Sequence, residues 1–68
     1  MITVNGTDRP DVAPGTTVDG LLDLLELPHR DRGVAVAVDA EVVPRASWAD
    51  TTLPDGAQVE VLVAVQGG

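Results

Sequence analysis

Short apolar runs alternate along the chain with turn-forming residues. Ile2 and Val4 flank Thr3 with the period of two that predicts a strand, and Asn5-Gly6 follows as the turn of a tight hairpin, because both positions accept positive φ. A return strand is expected to run through about Val12. Pro14-Gly15 then breaks the chain, and Thr16 stands where a helix cap belongs, with Asp19 three residues on, near the positive end of the helix dipole. Val18, Leu21, Leu22 and Leu25 are spaced i, i+3, i+4 and i+7, so the helix carries one apolar stripe that must pack on something; Pro28 is expected to stop it. Val34 to Val38 reads as a strand, Asp39-Ala40 as a weak turn, and Glu41-Val42-Val43 as a short return strand ended by Pro44. Ser47-Trp48-Ala49 fits a single helical turn. Leu53-Pro54-Asp55-Gly56 is a turn sequence, and Val59 to Val65 alternates as the last strand.

The predicted order is ββαβββ. One helix needs one sheet face to cover its leucine stripe, so the expected architecture is α+β, a single mixed sheet with the helix packed across it. The first and last strands are the most apolar candidates for its centre. If they pair in parallel, the chain between them supplies the crossover that parallel neighbours require, which is the β-grasp arrangement. Residues 1–65 then form the folded domain and 66–68 a short tail.

Composition narrows the chemistry. A chain of 68 residues and 7.0 kDa exposes ~4,000 Å² when folded, too little to enclose a deep water-excluding pocket around a thin Val, Leu and Ala core. A carrier, binding module or subunit is expected rather than a self-sufficient enzyme. Cysteine is absent, which excludes disulfides and thiolate sites, so any sulfur chemistry must be borrowed. The formal charge of -7 makes nucleic acid and anionic membranes poor partners and a basic protein surface a better one. Neither a signal segment nor a run of eighteen apolar residues occurs, and a cytoplasmic location is the expectation.

Gln66-Gly67-Gly68 follows the last strand directly, and three residues can reach roughly 10 Å from the domain surface. Glycine has no β-carbon, so another backbone can approach closely and the terminal carbonyl stays open to attack. The Gly68 carboxylate is the candidate reacting group. Lysine is absent as well, so an activated acyl end would meet no side-chain amine on its own molecule. Along the last strand Val59, Val61, Val63 and Val65 point one way and Glu60, Leu62, Ala64 and Gln66 the other. With the valines against the helix, Leu62 and Ala64 form a small apolar patch on the open face beside the tail, the preferred docking surface.

Val4-Asn5-Gly6, Pro14-Gly15-Thr16-Thr17-Val18 with Leu21-Leu22, Val34 to Val38, Glu41-Val42-Val43-Pro44-Arg45 with Trp48, Leu53-Pro54-Asp55-Gly56 and Gly67-Gly68 occur in this order over the whole chain. In these segments the chain resembles the ThiS family, ubiquitin-like bacterial sulfur carriers of thiamine biosynthesis. The resemblance implies that an adenylating enzyme related to ubiquitin-activating enzymes uses ATP and magnesium to convert the Gly68 carboxylate to an acyl-adenylate. A persulfide sulfur, from a cysteine desulfurase or another persulfide protein, then replaces AMP. The resulting thiocarboxylate delivers sulfur to thiazole synthase. The chain itself would bind no cofactor or metal, and Gly67, Gln66 and Arg45 join Leu62 and Ala64 as expected partner contacts. The chain departs from the family's usual pattern at Asp39-Ala40, where Asn-Gly is common, at Ala57, where an acidic residue is common, and at Gln66, usually a smaller residue.

Two other readings are kept beside this one. The small subunit of molybdopterin synthase resembles the carrier and ends in the same glycines, and a ubiquitin-like interaction module would leave the tail inert. Asp19, Asp23 and Glu26 lie on one helix side and read as a solvated face rather than a metal site. His29, beside Arg30, lacks a neighbouring ligand or orienting acid and reads as an exposed loop residue. Trp48 is the sole aromatic residue and reads as an edge plug of the core before a partner anchor.

Overall fold

The computed structural model describes residues 1–26 and 33–63. Its elements are β1 (Thr3–Val4), β2 (Thr7–Asp8), α1 (Val18–Leu24), β3 (Val34–Val38), β4 (Glu41–Val43), a 3₁₀ turn at Arg45–Ser47, and β5 (Gln58–Val63). The strands form one sheet in the order β2-β1-β5-β3-β4, with β1 and β5 parallel and the other pairs antiparallel. The expected mixed sheet with β1 and β5 paired in parallel is therefore present, and β5 is its central strand.

One face of this sheet meets the helix. Val18, Leu21 and Leu22 of the predicted stripe are buried, and they meet Val4, Val36, Val59 and Val61 from the strands together with Ile2, Val12, Trp48 and Leu53. Each such side chain taken fully from water contributes about 1.5–3 kcal/mol, which is what holds so short a helix in place.

The helix starts one residue later than expected. Thr17, not Thr16, is its cap, its Oγ1 accepting from Gly20 N at 3.0 Å. Thr16 is engaged through its backbone, its carbonyl accepting from Leu53 N and its N–H donating to Ala13 O. The next two helical N–H groups donate outside the helix, Val18 to Thr51 O at 2.9 Å and Asp19 to Trp48 O at 3.1 Å. All three amides at this end are thus satisfied, and the helix start is fastened to the segment that leads into β5. A β-carbon at position 20 would stand 3.2 Å from Thr17 Oγ1, so the glycine inside the helix keeps room for the cap.

The helix also ends before Pro28 can act. Leu25 is its C-cap, and Glu26 takes φ 53, a left-handed stop of the kind glycine usually supplies. Pro28 and His29 lie outside the described residues. The second strand is shorter than predicted as well, two residues rather than a run to Val12. Arg9 still donates from its amide to Ile2 O at 2.9 Å, but Pro10 has no N–H to continue the ladder. Arg9 and Asp11 instead pair side chain to side chain, Nε to Oδ1 at 2.9 Å and Nη2 to Oδ2 at 2.8 Å, around a turn that returns Val12 to the core.

The β3–β4 hairpin is as predicted. Its turn residues Asp39 and Ala40 take φ 51 and 69, the handedness that Asn5 and Gly6 adopt at 51 and 81 in the first hairpin. The helical turn predicted around Ser47-Trp48-Ala49 is a 3₁₀ turn two residues earlier, with Trp48 as its C-cap.

Candidate functional site

The approach to the C-terminal segment is built on β5. On one side it pairs with β3 over Val59 to Val63, from Val38 opposite Val59 to Val34 opposite Val63. On the other side β1 covers only its first half, Thr3 beside Gln58 and Val4 beside Val59. Beyond β1 the Asn5 side chain continues the ladder, its Oδ1 accepting from Val61 N at 2.9 Å and its Nδ2 donating to Val61 O at 3.1 Å. At the start of the strand Asp39 exchanges two more bonds with Gln58, N–H to carbonyl at 2.8 Å and amide to Oδ1 at 3.0 Å. Turn residues therefore grip β5 from both neighbouring hairpins.

Strand alternation places Leu62 on the face away from the helix, where it is 69% exposed. Its cross-strand neighbour is Ala35; one row away stand Val42, Ala37 and Glu60 in line across three strands. Val42 is 72% exposed, so this face presents an apolar patch with no element of the described chain over it. Val42, Ala35 and Ala37 are members that strand-by-strand reading misses. Their signal lay in the strict Val/Ala alternation of residues 34–38, large side chains toward the helix and small ones away. On the helix side the predicted row of valines holds for Val59 and Val61. Val63 lies on the same side, beside Leu25 and Val61, but is 52% exposed, and Val65 lies outside the described residues.

Arg45 is exposed in the 3₁₀ turn, two residues after the strand that carries Val42. Trp48 is buried, its Nε1 donating to Val43 O at 3.0 Å, and so it plugs the core under that turn as the composition predicted. Ala64, Gln66, Gly67 and Gly68 lie outside the described residues. Among the described residues no three carboxylates or imidazoles gather as a metal site, and no helix is long and apolar enough to cross a membrane.

Comparison with known proteins places these features in context. Residues 2–68 match the model of the ThiS family. The sulfur carrier protein ThiS of Escherichia coli strain K12 is 38% identical over 56 residues, 82% of this chain and 82% of that protein. A thiazole synthase of Paramagnetospirillum magneticum is 34% identical over 67 residues; these span 98% of this chain and 20% of the synthase, so the chain corresponds to about a fifth of that protein's length. In three dimensions the chain is similar to the crystal structure of the thiamine biosynthesis protein ThiS from Geobacter metallireducens, with TM-score 0.79 and 35% identity over 98% of this chain and 97% of that one. A solution structure of a thiamine biosynthesis protein from the same organism gives TM-score 0.81 at 35% identity, covering 98% and 86%.

Proposed function

The chain belongs to the ThiS family and is a sulfur carrier of thiamine biosynthesis, and from this premise we propose that the Gly68 carboxylate is the group that carries the sulfur. A carboxylate is a poor acyl donor, because its charge repels nucleophiles and oxide does not leave. Activation by a separate adenylating enzyme removes both obstacles. A Gly68 oxygen attacks the α-phosphorus of ATP and pyrophosphate departs, with magnesium and ATP held by that enzyme. A persulfide sulfur then attacks the acyl carbon and AMP departs. Reductive cleavage of the S–S bond by a thiol leaves the thiocarboxylate, which passes its sulfur to thiazole synthase. Apart from the Gly68 carboxylate itself, which is the nucleophile of the first step, base, metal and attacking sulfur come from the partners.

Its own part is presentation. The apolar patch of Leu62, Ala35, Ala37 and Val42 is the surface on which partners dock, with Ala64, Gln66, Gly67 and Arg45 extending the contact toward the partner's active site. The observation that carries this reading is the family match, which runs through Gly67-Gly68. Intact-mass spectrometry after incubation with the adenylating enzyme, ATP, magnesium, a persulfide donor and a thiol reductant tests it. An oxygen-to-sulfur mass gain on the last residue is expected, and its loss when Gly68 is deleted. Full activity in thiazole formation from the Gly68-deleted chain would overturn the reading.

A further inference from the structure

We propose that Glu60 is a specificity-determining charge in docking: the thiazole synthase surface that covers the open sheet face is apolar and brings one Lys or Arg side chain to the Glu60 carboxylate. This rests on the carrier reading and adds to it the chemistry of the partner's surface. Glu60 stands within the patch. Its neighbour on β3 is Ala37, Val42 follows on β4, and Leu62 is the next residue on its own face. The small alanines leave the carboxylate standing clear of its surroundings.

No cation of the described chain meets it. Arg9 is held by Asp11, and Asp39, which lines the same shallow hollow as Glu60, is a second carboxylate. A partner that covers Leu62 and Val42 must also take Glu60 from water. An ionised carboxylate under an apolar lid with no counter-charge is strongly disfavoured, so the partner has to supply one. The charge complement and the fit are then one requirement. Thiazole synthase is the occupant to which this commits, because a segment similar to 98% of this chain forms part of a protein of that name.

Binding of the full chain to thiazole synthase from the same organism, measured by titration calorimetry over a range of salt concentrations, tests this. Glu60→Lys is expected to weaken binding at least about tenfold and Glu60→Gln by a smaller factor with a flatter salt dependence. Glu41→Lys makes the same change in net charge from the row of Val38, outside the patch, and is expected to stay within about twofold of the parent. Undiminished binding by Glu60→Lys overturns the proposal, as does an equal loss in Glu41→Lys or no measurable binding by the parent chain. If Glu60→Lys binds thiazole synthase normally and fails only with the adenylating enzyme, the assignment to thiazole synthase is wrong. Failure of the parent chain to acquire sulfur would instead defeat the carrier reading itself, whatever Glu60 does.

Discussion

Asn5 does with a side chain what a third residue of β1 would do with its backbone. It turns the chain at φ 51 and still fills both hydrogen-bonding positions of Val61, so the hairpin can leave the sheet without exposing the middle of β5. Asn5→Gly keeps the turn accessible and removes only this clamp. A loss of about 1–2 kcal/mol in urea denaturation is expected, since two groups of Val61 lose their partner. The Arg9–Asp11 pair makes a different prediction, one of pH. The two hydrogen bonds from Arg9 hold the Asp11 carboxyl below its ordinary value. A lowered folded-state pKa means stability that is present above the ordinary Asp range and is lost as pH falls through the folded value. The difference in Tm between the parent and Asp11→Asn should therefore be present near neutral pH, shrink below about pH 4, and be smaller in high salt because the pair is exposed.

At the scale of elements, the two hairpins pose the same problem and solve it unequally. Both turns need positive φ at two successive residues; the first has glycine at the second position and the other has Ala40, at φ 69. A side chain in that region costs roughly 1 kcal/mol, so Ala40→Gly is expected to raise stability by about 0.5–1 kcal/mol, read as an increase in the urea midpoint. Turns and paired strands of this kind were legible in the sequence, because Asn5-Gly6, Asp39-Ala40 and Asp55-Gly56 lie between runs of matching period. The boundaries set by competition were not. Thr16 and Thr17 are equally good caps until Leu53 engages the backbone of one of them, and the return strand after Asn5-Gly6 is cut short by Pro10, which has no N–H to continue the ladder. Helix termination at Glu26 had no local signal, since a glutamate is an unusual residue at a left-handed stop. Leu62 was readable from alternation alone. Its companions Val42, Ala35 and Ala37 required the register across three strands, which no single segment carries.

At the scale of the molecule, one sheet with one covered face leaves the other free for partners, and the central strand leads directly toward the C-terminal segment. Leu62→Asp keeps the helix-side core intact while placing a further carboxylate beside Glu60 in the open patch. Sulfur transfer to thiazole is expected to fall by at least about tenfold, with little change in Tm because Leu62 contributes little burial. The parallel pairing of β1 with β5 has a mechanical side. A pull that separates the start of β1 from the end of β5 drags two neighbouring parallel strands past each other, so the bonds of Thr3 to Ala57, Asn5 to Val59 and the Asn5 amide to Val61 share the load and must give way together. Tension applied between the start of β1 and the C-terminal side of β5 is thus met in shear rather than by unzipping.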